Sequence, residues 1–319
     1  MTNAKIISSG SYLPKKILTN FDLEKMVETS DEWITERTGI KQRHIADENE
    51  LTSDLAFKAA DEAIKNANIS KDDIGLIIVA TTTPDRTFPS TATIIQNKLG
   101  ISSNCFAFDI QAVCCGFIYA LNVANNFIKT NQVKNALVVG AETLSRIVDW
   151  KDRNTCVLFG DGAGAVILQA TDEDRGILNC KMHSDGQYNP LLYTTGGVSL
   201  NQTSGIIHME GREVFKMGVN KMSECVIENL AECNLKNTDI SLLIPHQANK
   251  RIIDGIGKKL ELPEDKVIVT VQNHGNTSAT SVPLAVDYAI KNNKIKDNDI
   301  VVLEALGGGL TWGSIIVKW

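Results

Sequence analysis

The chain runs twice through one order of predicted elements, and this repetition constrains its fold more than any other feature of the sequence. The order in each half is helix, strand, loop, helix, strand, helix, strand, glycine turn and strand. Unbroken apolar runs at 74–80 and 136–141 predict strands buried on both faces, as in a parallel sheet covered by helices. The sequence therefore predicts an α/β fold of two halves, residues 1–170 and 171–319, related by a pseudo-twofold axis.

Three local predictions within this pattern concern the surroundings of a possible site. We expect Thr52 or Ser53 to cap a helix, and residues 155–169 to form two strands that meet at the glycine turn GDGAG. Residues 267–271 are expected to form a strand. GDGAGA is superficially similar to a dinucleotide-binding sequence, but a strand is predicted to follow it where that motif needs a helix.

Composition argues against several classes of protein. The chain has 319 residues, a net charge of −6 and no tract rich in Lys and Arg, which argues against a nucleic-acid-binding protein. Neither a signal peptide nor an apolar run of membrane-spanning length is visible, so no membrane association is expected. The seven cysteines form no CxxC pair, and the five histidines show no metal-binding spacing. We therefore expect a cytoplasmic protein with reduced thiols and no metal site.

A strand that runs into two adjacent cysteines and then into a long helix is the main candidate for a reactive centre. The strand is predicted at 106–110, and Cys114 and Cys115 precede a helix that extends to about residue 130. Unpaired N–H groups and the positive end of the helix dipole would favour a thiolate at such a position. We therefore expect the pKa of one cysteine to lie below its ordinary value of about 8.5.

Polar residues of the second half are predicted to converge on this cysteine. His246 follows a predicted strand, and Asn276, before a predicted helix, is expected to occupy the position equivalent to Cys114. The glycines at 307–309 would let a backbone N–H group pair with that of the cysteine as an oxyanion hole. The histidine and asparagine could act on the thiol proton or hold an oxyanion, so composition alone does not separate an acyltransferase from a cysteine hydrolase.

At these residues the chain resembles the thiolase superfamily, and most closely the 3-oxoacyl-acyl-carrier-protein synthase III family. The resemblance covers nearly the whole chain. Besides the Cys114 segment, its motifs are DEWITERTGI (31–40), IGLIIVATTTPDRTFPS (74–90), FGDGAGAVIL (159–168), PHQANKRII (245–253), NHGNTSATSVPLA (273–285) and EALGGGLTWGS (304–314). The resemblance implies a five-layer αβαβα fold, a homodimer and a reaction that needs no cofactor.

The resemblance also implies a catalytic set. Cys114 matches the acylated nucleophile, and His246 and Asn276 match its two catalytic partners. Cys115 occupies a position usually held by a small residue, and because neighbours on a helix point about 100° apart, only one thiol is expected to face the pocket. The backbone N–H groups of Cys114 and Gly308 match the family's oxyanion hole.

Substrate contacts follow from the same resemblance. Trp33 and Arg153 are similar to the pair that sandwiches the coenzyme A adenine, and Arg37 to a contact of a coenzyme A phosphate. Phe88 is similar to the residue that reaches across the dimer into the partner's acyl pocket. The residues expected to line the acyl pocket are Phe88, Leu144 and the segment 191–207.

The implied reaction has two stages and two substrates, an acyl-CoA and malonyl-acyl carrier protein. Cys114 takes the acyl group, and the malonyl thioester then loses carbon dioxide and condenses with it, initiating type II fatty acid biosynthesis. Because the carrier protein is acidic, a basic patch is expected to dock it. The residues of this patch are Lys216, Arg251, Lys258 and Lys259.

Four alternatives remain open from the sequence. A relative of the same fold could use another acceptor, as quinolone or polyketide starter synthases do. A degradative thiolase normally needs a second catalytic cysteine, and no cysteine follows Cys233. A cysteine hydrolase would release free acid without carbon dioxide, and a scaffold without activity would form no acyl adduct.

Overall fold

Two mixed sheets with the same strand order form the frame of the protein. The computed structural model describes residues 3–102 and 104–319. The strands are β1 (Asn3–Tyr12), β2 (Lys16–Thr19), β3 (Gln42–Ile45), β4 (Leu76–Ala80), β5 (Phe106–Ile110), β6 (Asn135–Thr143), β7 (Asp161–Thr171), β8 (Gly176–Ser184), β9 (Leu192–Thr194), β10 (Ile207–Met209), β11 (Leu242–Pro245), β12 (Ile300–Gly307) and β13 (Thr311–Lys318). The helices are α1 (Asn20–Leu23), α2 (Asp31–Thr38), α3 (Thr52–Ala67), α4 (Thr91–Leu99), α5 (Gly116–Lys129), α6 (Arg153–Cys156), α7 (Val198–Asn201), α8 (Gly211–Glu232), α9 (Lys250–Lys259), α10 (Val271–His274) and α11 (Ser281–Lys291).

The two large sheets match each other strand by strand. The first has the order β5-β4-β6-β7-β1 and the second the order β11-β12-β13-β8. Val267 extends the second sheet by a parallel bridge to Leu243, at the position that β5 holds in the first. In both sheets the inner pair is parallel and the following strands are antiparallel. The predicted α/β fold of two related halves is confirmed, while the division at residues 170 and 171 stays a prediction.

Helices cover both sheets and also separate them, which gives five layers. α5 and α11 lie between the sheets in one continuous apolar core. α3 covers the outer face of the first sheet, and α8 and α9 cover the outer face of the second. The strands are buried on both faces because helices lie on both sides, as their unbroken apolar runs predict.

Three local predictions are wrong. α3 begins at Thr52, and the carboxylate of Asp54 accepts the N–H of Leu51, while the Thr52 hydroxyl donates to the Thr83 carbonyl oxygen. In the expected strand at 267–271, Val267 bridges to Leu243 and the Ile268 N–H donates to the Leu243 carbonyl oxygen, but no strand forms and α10 begins at Val271.

The segment expected to turn at GDGAG is instead one straight strand, β7, preceded by α6. Its glycines serve close packing. A Cβ atom on Gly164 would lie 2.8 Å from the backbone nitrogen of Leu284 and 2.8 Å from Cβ of Pro283. Glycine therefore lets α11 lie directly against this strand, and the sequence pattern of a glycine turn arises from helix–sheet contact.

Among the described residues, no helix combines the length and apolar character needed to cross a bilayer.

Candidate active site

The site is built on two 3-10 turns that begin the two central helices. Residues 113–115 precede α5, residues 278–280 precede α11, and the turns pack against each other. Val113 and Ser278, the first residues of the turns, both have left-handed φ values, +49° and +53°. This backbone is costly for a β-branched residue, typically by about 1–3 kcal/mol. The surrounding packing must hold Val113 in this conformation.

This register changes one sequence expectation. Counting from the two left-handed residues, Cys114 corresponds to Ala279, so the predicted equivalence of Cys114 and Asn276 is wrong. Asn276 comes two residues before Ser278, in the chain that leads into the turn. It still reaches the site, because its backbone pairs with Phe159.

Cys114 lies where two cavities meet. A narrow cavity of about 70 Å³ is lined by Cys114, His246 and Asn276. A wider cavity of about 330 Å³ is lined by Cys114, Leu144 and Gly308, among others. Cys115 is fully buried in the apolar core. The prediction that only one of the two thiols faces the pocket is confirmed.

The His246 ring is fixed in one tautomer. Its Nδ1 lies 2.6 Å from the Ser281 hydroxyl oxygen, which also accepts the N–H of Gln247. Because the Ser281 hydroxyl has no other acceptor among the described residues, we assign its hydrogen to the bond with Nδ1 and the ring hydrogen to Nε2. Burial lowers the pKa of His246 to about 3, so the ring is neutral at ordinary pH. His246 thus offers a neutral N–H donor.

The Asn276 amide is oriented in the same way. Its Oδ1 accepts the N–H of Ser278 at 2.9 Å, so its NH₂ group is the end left for a ligand. Asn276 is 7% exposed and lines the narrow cavity with His246. Two neutral donors can therefore serve one acceptor oxygen in this cavity.

A second pair of donors comes from the backbone. Among the described residues, the N–H groups of Cys114 and Gly308 donate to no backbone carbonyl, and no side chain of another residue accepts them. Gly307 brings the two segments together, since a Cβ atom there would lie 2.8 Å from the Cys114 nitrogen. Two N–H groups without a backbone acceptor on neighbouring segments are the groups that an oxyanion hole would use.

The Cys114 thiol is not acidified. Burial raises its pKa to about 12 and outweighs the lowering by Ser278, while the Glu142 carboxylate makes a further, smaller contribution to the increase and the N–H group of Cys114 a still smaller one to the decrease. The expected low pKa is therefore wrong. α5 begins two residues later, at Gly116, and loss of water around the sulfur outweighs the helix dipole.

The residues predicted to bind coenzyme A form one surface cluster. The guanidinium groups of Arg37 and Arg153 lie 5.5 Å and 5.2 Å from the centre of the Trp33 ring. Arg153 also donates to the Glu28 carbonyl oxygen. Ser30 caps α2 by accepting the Trp33 N–H, which fixes the start of the helix that carries Trp33 and Arg37.

The remaining predicted residues lie in separate places. Leu144 is buried and lines the wide cavity with Leu192 and Ile207 of the segment 191–207, whereas Phe88 is 81% exposed and lines neither cavity.

In the predicted basic patch all four residues are exposed. Arg251 lies 5.4 Å from the Phe215 ring centre, and Lys259 donates to Asn220.

Three polar residues near the site were missed by sequence reasoning. Ser281 and Ser278 lie within NHGNTSATS, but nothing in that string tells which hydroxyl meets the histidine. Glu142 directly follows the apolar run 136–141, and a carboxylate at the end of a buried strand is the signal that could have found it.

Glu304 is a further buried acid, next to the site. It is 0% exposed, neither carboxyl oxygen has a hydrogen-bond partner within the described part of the chain, and its backbone carbonyl accepts the His246 N–H. Burial alone raises its pKa to about 8. Its side chain is therefore mostly protonated at neutral pH.

No group of three or more His, Cys, Asp or Glu side chains within residues 3–102 and 104–319 is arranged to hold a metal ion.

Comparison with known proteins identifies close relatives of the whole chain. The family model described as 3-oxoacyl-[acyl-carrier-protein (ACP)] synthase III matches residues 108–186, and its C-terminal counterpart matches 230–319. Beta-ketoacyl-[acyl-carrier-protein] synthase III of Ehrlichia canis is 55% identical, and that of Wolbachia pipientis wMel is 58% identical, each over 100% of both chains. The crystal structure of 3-oxoacyl-[acyl-carrier-protein] synthase III from Aquifex aeolicus superposes with a TM-score of 0.95 at 50% identity, covering 99% of this chain and 100% of that one.

Replacing Glu304 should change how stability depends on pH. The folded protein keeps the Glu304 proton up to about pH 8, whereas the unfolded chain loses it near 4.5, so the free energy of unfolding should fall as pH rises between these values. Glu304 contributes a fall of up to about 1.4 kcal/mol per pH unit, and Glu304→Gln should remove this contribution. Urea unfolding of both proteins between about pH 5 and pH 8 would measure it.

The comparison isolates Glu304 because the other buried acids and histidines are present in both proteins. Glu36→Gln, which changes an exposed carboxylate of α2, should reproduce the wild-type curve. A constant difference between Glu304→Gln and wild type at every pH would contradict the raised pKa.

Proposed function

Because this chain belongs to the 3-oxoacyl-acyl-carrier-protein synthase III family, we infer that it is the acyltransferase that condenses an acyl-CoA starter with malonyl-acyl carrier protein. The reaction releases coenzyme A and carbon dioxide and initiates fatty acid biosynthesis. The observation that carries this assignment to particular residues is the meeting of Cys114, His246 and Asn276 at one narrow cavity. The residue roles that follow are our proposal.

In the first stage Cys114 attacks the acyl-CoA thioester. The carbonyl oxygen becomes an oxyanion, which the N–H groups of Cys114 and Gly308 stabilise, an effect typically worth about 3–4 kcal/mol for one such donor. The acyl chain then lies in the wide cavity, against Leu144. Collapse of the intermediate releases coenzyme A.

In the second stage the malonyl thioester loses carbon dioxide. Its thioester oxygen gains negative charge as the enolate forms, and the Nε2–H of His246 and the amide N–H of Asn276 donate to it. A neutral histidine suits this role, because it donates a hydrogen bond without transferring a proton. The resulting carbanion attacks the acyl group on Cys114, the bond between the acyl carbon and the sulfur breaks to give 3-oxoacyl-acyl carrier protein, and the released thiolate takes up a proton. Decarboxylation itself supplies the carbanion, so we propose that no metal or redox cofactor takes part.

The Trp33 cluster is the proposed coenzyme A site. Both guanidinium groups already contact the Trp33 ring. If Arg153 moves outward, an adenine ring can enter between Trp33 and Arg153 and stack on both side chains. Arg37 would then pair with a phosphate.

We propose a homodimer formed along β5. This strand is at the edge of the first sheet, Phe106 on it is 39% exposed and Phe88 is 81% exposed. An open edge with exposed aromatic residues favours association with a second copy. Sedimentation equilibrium should give twice the chain mass, and a monomer at micromolar concentration would contradict this assignment.

We also propose a cytoplasmic location. All seven cysteines are free thiols, and the nucleophile must stay reduced to accept an acyl group.

Cys114→Ala should abolish acylation, whereas Cys115→Ala should retain it. Intact-mass analysis after incubation with acetyl-, branched and longer acyl-CoAs should show one acyl adduct on the wild type and on Cys115→Ala, with release of carbon dioxide once malonyl-acyl carrier protein is added. An adduct that maps to Cys115, or free acid formed without carbon dioxide, would refute the assignment.

Charge reversal in the basic patch should affect only the second substrate. Arg251→Glu is expected to raise KM for malonyl-acyl carrier protein by about tenfold or more, because an exposed cation steers an acidic partner, and to leave acylation by acyl-CoA unchanged. Lys15→Glu reverses an exposed charge outside the patch and serves as the matched control. Equal carrier-protein kinetics in both variants would exclude docking at Arg251.

A further inference from the structure

Glu142 is a buried carboxylate that the reaction described above does not use. It lies in β6 and is 0% exposed. Three consecutive threonines donate to it: the Thr82 N–H at 3.1 Å, the Thr82 hydroxyl at 3.0 Å, the Thr83 hydroxyl at 2.6 Å and the Thr81 hydroxyl at 3.3 Å. These donors stabilise the charged form and fix the position of the carboxylate.

Ser278 is near both this carboxylate and the sulfur, and it lines the wide cavity together with Cys114. Its side chain interacts with both Glu142 and Cys114, yet its hydroxyl completes a hydrogen bond with neither in this structure. The residue is 1% exposed, and its left-handed backbone is held by the bond from its N–H to Asn276. A buried hydroxyl without a partner, next to a thiol and a carboxylate, is costly unless both neighbours use it.

The arrangement bears on where the thiol proton goes. Acylation needs a thiolate, but burial keeps the Cys114 proton on sulfur. His246 is not suited to take it, because its Nε2 already carries a hydrogen and its pKa is about 3. Burial raises the pKa of Glu142 to about 7, against the lowering by its threonine donors, which suits a group that takes and returns a proton near neutral pH.

We propose that Glu142 accepts the Cys114 thiol proton through Ser278, as a positioning residue for the first stage of the reaction. The thiol proton passes to the Ser278 oxygen while the Ser278 hydroxyl proton passes to Glu142, and the sulfur keeps the electron pair with which it attacks the thioester carbonyl. When the C–S bond to coenzyme A breaks, Glu142 returns the proton by the same route to the departing coenzyme A thiolate. Charge and protons balance, and no other reactant is needed.

Among the described residues, few other charged or titratable groups lie near Cys114, Ser278 and Glu142, which form the proposed proton relay. Across the narrow cavity is the neutral His246, and beside Cys114 is the buried thiol of Cys115. Asp161, on the neighbouring β7, is engaged by the Ser145 hydroxyl and N–H and by the Ala46 N–H. Glu142 is therefore the one carboxylate with a described electrostatic interaction with the Cys114 sulfur.

The proposal and simple repulsion predict opposite results for Glu142→Gln. If the carboxylate only repels a thiolate, its removal makes the thiol more reactive. If it accepts the proton, its removal makes acylation slower. This inference rests on the proposed acylation of Cys114, so alkylation by iodoacetamide, which needs no enzymatic function, serves as a second readout.

The test is the pH profile of single-turnover acylation by acetyl-CoA and of iodoacetamide alkylation, with the adduct mapped to Cys114. In the wild type both rates should level off above an inflection near pH 7, where Glu142 ionises. In Glu142→Gln the inflection should be lost, and acylation at pH 8 should fall by at least tenfold with KM for acetyl-CoA unchanged. Ser278→Ala should show the same loss, and the double variant no more.

Glu304→Gln is the matched control, since it replaces another buried carboxyl group that interacts with Cys115 and has no described interaction with Cys114. Its acylation profile should keep the inflection. A wild-type profile or faster acylation in Glu142→Gln would overturn the proposal. If that variant does not fold, Ser278→Ala decides alone, and an unchanged inflection there would overturn it. A wild type that alkylates but never acylates would instead refute the proposed function.

Discussion

The chemistry of this protein depends on the contact between two 3-10 turns in the layer between its sheets. One turn carries the sulfur, and the chain around the other carries Asn276, Ser278 and Ser281. β12 also packs against the first turn, closely enough to require glycine at 307, where a Cβ atom would lie within 3 Å of the Cys114 and Cys115 nitrogens. Cys114 comes from one half, and His246 and Asn276 come from the other. Neither half contains a site by itself, so interface packing determines the geometry of the reacting groups.

Loss of water is the dominant electrostatic effect in this interface. It raises the pKa of the Cys114 thiol and of Glu142 and lowers that of His246, so each group tends towards its neutral form. Apart from Glu142, which ionises near pH 7, these groups are therefore neutral before substrate binds. Charge that develops during the reaction is then met by neutral donors already in place, which is the condition under which such donors are most effective.

Much of the fold could be predicted from the sequence, because strands buried on both faces and glycine-ended helices leave direct patterns. Ser90 caps α4 and Gly100 ends it with a left-handed backbone, and both residues are start and stop signals that the sequence shows directly. Patterns failed where tertiary contact replaced local chemistry: GDGAG indicates a turn, but its glycines make room for α11. The prediction of a lowered pKa for a cysteine was wrong for a related reason. The sequence shows the helix that follows Cys114, but it does not show how deeply the sulfur is buried. The family resemblance predicts that His246 and Asn276 lie near Cys114. The contacts of Glu142 with three threonines arise only in the folded structure and leave no pattern in the sequence.

The frame is nearly symmetric, and this makes the alanine at the position related to the proposed nucleophile informative. Ala279 holds the position related to Cys114 and is 1% exposed. It lies against Gly116, where an added Cβ atom would be 3.6 Å from the Ala279 Cβ. It lines neither cavity next to Cys114. A duplicated scaffold could carry two reactive groups, but this one has room and access for a single sulfur. The symmetry is thus broken at one side chain, and under the proposed mechanism only Cys114 can hold the acyl group until the second substrate binds.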